Sequence, residues 1–143
     1  MRPFFIILLL LAPGTFTQAL SQSYLVKVTI TDLRSDKGKV YLSIYNSEKG
    51  YPKEASVPYR LSFSDIHNGQ STITLAGMPP GTYAIACYHD ENDNGKVDAN
   101  FLGIPKEGTG ASNNARGSLG PPKFRDAKFQ LASDTTLTIK INY

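Results

Sequence analysis

The sequence predicts an all-β protein, an antiparallel sandwich of about seven strands with one long loop rich in glycine and asparagine. Three observations predict it. Residues 24–30 and 39–45 alternate apolar and polar side chains with period two, as half-buried strands do. Further short runs of strand-forming residues follow, each bounded by turn signals. No stretch sustains a helical period, and short strands without helices stack as two sheets.

Taken in order, Val26, Val28 and Ile30 share one face of the first strand, and Val40, Leu42 and Ile44 share one face of the second. Asp36-Lys37-Gly38 supplies the turn between them. Residues 45–56 read as irregular or briefly helical, since Gly50 and Pro52 oppose a long helix. A third strand is expected over residues 58–66. His67-Asn68-Gly69 then turns the chain into residues 70–75, because Asn-Gly readily takes the positive φ of a tight hairpin. Residues 83–88 form the central apolar run. Two more strands are expected over residues 127–131 and 135–142, separated by Ser133-Asp134.

The amino terminus has the layout of a secretory signal peptide over residues 1–21. Arg2 supplies the positive charge, residues 4–12 the short apolar run, and cleavage after Ala19 or Ser21 fits the small residues there. The run is shorter than the roughly 20 apolar residues that span a bilayer. The expectation is an exported protein, periplasmic or secreted, with no transmembrane segment in the mature chain and one domain over residues 22–143. Cys87 is the single cysteine and lies within the apolar run, which predicts a buried, structural thiol. The chain carries three net positive charges, one of them Arg2. No Lys/Arg stripe or basic-aromatic interleaving is present, so no nucleic-acid partner is expected.

Gly77-Met78-Pro79-Pro80-Gly81-Thr82-Tyr83 resembles a turn of transthyretin-like, or prealbumin-like, β-sandwich domains. That resemblance implies a transthyretin-like or immunoglobulin-like sandwich and no activity. Locally, the prolines fix φ, Gly81 permits the reversal and Tyr83 can cover one end of the core.

Residues 90–123 hold six of the twelve glycines, five asparagines, three prolines and one aromatic residue, Phe101. Loops of such length are functional, disordered or tied down. At its start, Asp90, Asn92, Asn94 and Asp98 fall at alternate positions around Gly95. This D-x-N-x-N-G-x-x-D spacing is that of an oxygen-rich Ca²⁺ loop. Asp90 would supply a carboxylate, Asn92 and Asn94 side-chain carbonyls, Lys96 its backbone carbonyl, and Asp98 a direct or water-bridged ligand. Phe101 stands where an EF-hand has its bidentate Glu, and Glu107 is a distal substitute. With two certain carboxylates, the affinity expected is of the weak extracellular kind, roughly 10⁻⁴–10⁻³ M. The same composition also makes a metal-free Asp/Asn/Gly turn. Zinc is disfavoured, since His67, His89 and Cys87 show no ligand pair at finger spacing.

Several segments together resemble the domain-of-unknown-function 2141 family of exported bacterial proteins. They are Leu33-Arg-Ser-Asp-Lys-Gly38, the Pro-Pro-Gly-Thr-Tyr turn, His89 to Asp98, Asn100-Phe-Leu-Gly-Ile-Pro-Lys-Glu-Gly108, Ser112-Asn-Asn-Ala-Arg-Gly117 and Gly120-Pro-Pro-Lys-Phe124. The resemblance implies export and a small β-rich domain, and it carries over no catalytic residue.

A second candidate set is His89, Asn113, Asn114 and Arg116. Arg116 could clamp a carboxylate or phosphate, with the asparagines reading polar groups. The alternative, which is preferred, pairs Arg116 with a loop acid such as Asp90 or Glu107 and gives the asparagines to turn geometry. Catalysis by His89, Asp90 and Arg116 in a polar cleft would make a small hydrolase, but no nucleophile-elbow sequence supports it. The leading expectation is a small exported binding or structural module with a calcium-stabilised loop. Its partner would be an envelope protein or a small polar ligand.

Overall fold

In the computed structural model, residues 22–54 and 58–143 are described. The expected signal peptide, residues 1–21, lies outside the described residues. Eight strands form two sheets: β1 (Tyr24–Thr31), β2 (Lys39–Tyr45), β3 (Arg60–Ser64), β4 (Ser71–Met78), β5 (Gly81–Asp90), β6 (Thr109–Ala111), β7 (Phe129–Leu131) and β8 (Thr135–Lys140). A single helical turn, α1 (Phe124–Ala127), precedes β7. One sheet has the order β4-β1-β8 and the other β3-β2-β5-β6, with β7 also pairing β5. The all-β sandwich expected from the alternation is present.

The alternation works as the period-two geometry requires. Val26, Val28 and Ile30 of β1 and Val40, Leu42 and Ile44 of β2 are buried between the sheets. Ile73, Leu75, Ile85, Cys87, Leu131 and Ile139 meet them there. Tyr83 closes one end, its hydroxyl donating to the Pro79 carbonyl at 3.0 Å.

Four local expectations are corrected. Asn68 and Gly69 do take positive φ, 53° and 71°, and His67 and Gln70 exchange backbone hydrogen bonds of 2.8 and 3.2 Å. Yet β3 pairs with β2, and β4 with β1, so this turn carries the chain from one sheet to the other. Alternation specifies a buried face, not a strand partner. The pairing of β1 with β8 is parallel, unlike the others. The expected strand over residues 127–131 begins with α1 and shortens to β7. Lastly, the long loop is divided by β6, whose Thr-Gly-Ala sequence gives no apolar signal. A Cβ on Gly110 would crowd Ile139 Cγ2 at 2.8 Å and Cys87 Sγ at 3.1 Å, so glycine lets β6 lie close on the core.

The outer face of the larger sheet has two halves. Ala84, Ala111 and Ala127 are buried there under Tyr51 and Phe124. On the other half Tyr41, Phe63 and Tyr88 form an open aromatic row. Tyr41 and Tyr88 stack at 5.3 Å between centroids, and Tyr41 lies 5.7 Å from Phe63.

Candidate functional site

The candidate loop leaves the end of β5, where Asp90 stands opposite Lys39 in the register of β2. Just before Lys39, Gly38 has φ +69°, and any Cβ there would collide with the Asp90 carbonyl oxygen. Only glycine fits this crossing. Asp90 is fully buried, and its two carboxylate oxygens accept the Asn94 and Gly95 backbone N–H groups at 3.1 and 2.6 Å. Gly95 has φ +75°, as the sharp turn expected there requires. Buried polar groups must find partners, and this one finds the two amides that fold the turn.

Glu107 reaches the same loop from its distal end. It is buried, and its oxygens accept the Glu91 and Asp98 backbone N–H groups at 3.0 and 2.9 Å. The loop is therefore stapled twice by carboxylates. Outside it, the Arg34 guanidinium grips Glu91 with two donors, one at 2.9 Å. That grip holds the Glu91 carboxyl below its ordinary range. Lys39 pairs with Asp93 at 3.2 Å. Beyond Asp98, Asn100 Oδ1 accepts the Leu102 and Ile104 amides at 2.9 and 3.0 Å, and Phe101 is fully outside the core, 95% exposed.

The expected calcium ligands divide into two groups. Asp90 is committed to backbone amides. Asn92 and Asn94 both end on the Asp98 carboxylate, their side-chain amides donating at 2.7 and 3.1 Å. Lys96 donates its backbone N–H to Asn94 Oδ1 at 2.9 Å. Among the described residues, no three His, Cys, Asp or Glu side chains gather as a metal centre. Any cation here would rely on amide and backbone oxygens beside Asp98. Such oxygens suit Ca²⁺, a hard ion that takes neutral carbonyl ligands.

The second expected set does not converge. His89 is buried, with Nε2 2.7 Å from the Lys37 carbonyl and Nδ1 2.6 Å from the Tyr143 hydroxyl. A carbonyl only accepts, so Nε2 carries the proton. Asn113 donates to the Lys128 carbonyl at 2.9 Å, and Asn114 accepts the Lys140 N–H at 2.8 Å. Arg116 bonds the Asn142 side-chain oxygen rather than Asp90 or Glu107, which correct the pairing expected for it by spending their oxygens on backbone amides. Ser112 Oγ is buried, accepting the Ile85 N–H at 2.9 Å and donating to the Ala127 carbonyl at 2.5 Å. His89, Asp90 and Arg116 share no hydrogen bond. Cys87 is buried and free, and burial pushes its thiol up to about 12, as a structural role requires.

Sequence reasoning missed Gly38 as the residue under Asp90, and Tyr143 as the partner of His89. The sequence marks Gly38 only as part of the Asp36-Lys37-Gly38 turn and Tyr143 not at all, because both act across the sheet. Beside the loop runs a groove of about 660 Å³ along the aromatic row, lined by Tyr41, Leu61, Phe63, Tyr88 and also Gly95. No helix among the described residues is long and apolar enough to cross a membrane.

No curated protein and no solved structure matches the chain. The family described as "uncharacterized protein conserved in bacteria", DUF2141, matches residues 28–140. That span takes in both sheets except the first four residues of β1, together with the whole stapled loop, and the chain belongs to the DUF2141 family.

Proposed function

We propose that this protein is an exported binding module, periplasmic or secreted, whose 90–98 loop takes Ca²⁺ and forms one rim of the aromatic groove. The observation that carries this reading is the convergence of Asn92 and Asn94 on the Asp98 carboxylate at 2.7 and 3.1 Å. An amide turned by half a rotation presents its oxygen where its nitrogen lay. Two amide oxygens would then join the carboxylate around one point, with Asn94 giving up its bond to the Lys96 N–H in exchange for the cation. Asp90 and Glu107 hold the backbone of that loop in place beforehand, which lowers the ordering cost of binding.

Asp90, Glu91, Asp93, Asp98 and Glu107 bring five carboxylates to this region, against the cations of Arg34, Lys39 and Lys96. A divalent ion would relieve the mutual repulsion. Gly95 belongs to both loop and groove, so ordering of the loop would shape the surface met by an envelope protein or a small polar ligand. Hydrolysis draws no support, since the buried His89 and Ser112 spend their polar atoms on structural partners.

Amide NMR spectra of the purified protein, titrated with CaCl₂ and separately with MgCl₂, test this reading. Calcium should shift the amides of residues 92–98 saturably, with Kd of roughly 10⁻⁴–10⁻³ M, and magnesium should not. Unmoved loop amides at 10 mM Ca²⁺ would reduce the loop to a hydrogen-bonded turn.

A further inference from the structure

We propose a second site, for an oxyanion of phosphate or carboxylate type, in the groove between Arg116 and α1. This groove of about 400 Å³ is lined by Arg116, Gly117, Gly120, Lys123, Arg125 and Asp126 among others. It brings three cations against one carboxylate. Asp126 lies 3.6 Å from Arg125. Among the described residues, neither Arg116 nor Lys123 stands within ion-pair distance of an acid.

Arg116 is oriented without being neutralised. Its guanidinium donates to the Asn142 amide oxygen, which carries no net charge. Asn142 is itself fixed, exchanging backbone hydrogen bonds of 2.8 and 2.9 Å with Thr109. A guanidinium has five donors, so this contact leaves a fork free for a planar or tetrahedral anion.

The base beneath Arg116 is equally fixed. Asn113 and Asn114 both hold positive φ, 58° and 51°, a costly pair of conformations for residues with a Cβ. Their side chains tie this turn to the Lys128 carbonyl and the Lys140 amide. Ser112 ties it to β5 and to the end of α1. On the far side Gly117 passes so close to the Gly120 carbonyl that any Cβ would collide with it. The two walls carrying the cations are thus held at a set separation. Charge complementarity then selects an anion, and the exposure of all three cations selects a small or terminal group that approaches from solvent.

This site shares no residue with the calcium loop, so the two proposals fail independently. The test is an amide NMR titration of the purified protein with inorganic phosphate at constant ionic strength, with acetate and chloride as parallel arms. Phosphate, acetate or both should shift the amides of residues 116–126 saturably, and chloride should not. Saturation by phosphate alone assigns the phosphate class, and by acetate alone the carboxylate class. Arg116→Gln should weaken binding at least about tenfold, the scale of one charge-assisted hydrogen bond. Arg116→Lys, keeping the charge but losing the fork, should fall between. Both changes are at an exposed side chain, so the fold survives them. Shifts that never saturate, that chloride reproduces, or that persist unchanged in Arg116→Gln would overturn the site.

Discussion

Two polar segments follow β5, and they fold by opposite means. In residues 90–107 the backbone amides are gathered by carboxylates: Asp90 takes two and Glu107 takes two. Residues 112–127 are held instead by neutral side chains that reach out to neighbouring backbone: Ser112 Oγ accepts the Ile85 N–H, Asn114 accepts the Lys140 N–H, and Asn113 donates to the Lys128 carbonyl. Hydrogen bonds to ionised groups are roughly twice as strong as neutral ones, so the first segment is the more tightly held. It is also the one whose stability depends on charge. The loop also carries Glu91, lowered by Arg34, so it should respond to pH and, on the proposed reading, to divalent cations, and the amide-held strap to neither.

The largest effect should come from breaking the backbone under the loop. Gly38→Ala sets a Cβ against the Asp90 carbonyl at φ +69°, and the combined clash and strain should cost about 4 kcal/mol, read by chemical denaturation. Next, Asp90→Ala removes the buried carboxylate that holds the Asn94 and Gly95 amides and should cost about 3 kcal/mol. Asn113→Ala removes neutral bonds in the strap and should cost about 1 kcal/mol. If Asn113→Ala proved as damaging as Asp90→Ala, the distinction between the segments would collapse.

A smaller effect sharpens the same comparison through pH. Arg34 lowers the Glu91 carboxyl below its ordinary value of 4.5. A depressed carboxyl stabilises the fold above its unfolded pKa, and that contribution disappears as pH falls through the folded one. Midpoints measured from pH 6 to pH 2 should fall below pH 4.5, and Glu91→Gln should flatten part of the fall. The pair is partly exposed, so the difference will be modest. Asn113→Ala should leave the shape of the profile intact.

Much of this architecture was legible in the chain. Val26, Val28, Ile30, Val40, Leu42 and Ile44 announce their buried faces through period alone, and Cys87 its burial through its apolar neighbours. The Asn68-Gly69 turn was readable because positive φ is a local demand. Its destination was not, since no residue in β3 or β4 encodes which sheet receives it. The loop's ligand spacing was also visible, along with Glu107 as a distal acid. What spacing could not reveal is that Asp90 and Glu107 serve backbone amides. That follows from their burial, which depends on Gly38 and β6 crossing nearby.

The most direct test of the account is the thermal midpoint of the wild-type protein and Asp98→Asn, each after chelation, with excess Ca²⁺ and with Mg²⁺. Calcium at ten times its Kd stabilises by about 1.4 kcal/mol, which should raise the wild-type midpoint by about 5 °C. Magnesium should leave it in place, and Asp98→Asn should lose the calcium response. An unchanged wild-type midpoint in calcium, or an equal rise in Asp98→Asn, would contradict a calcium site on this loop.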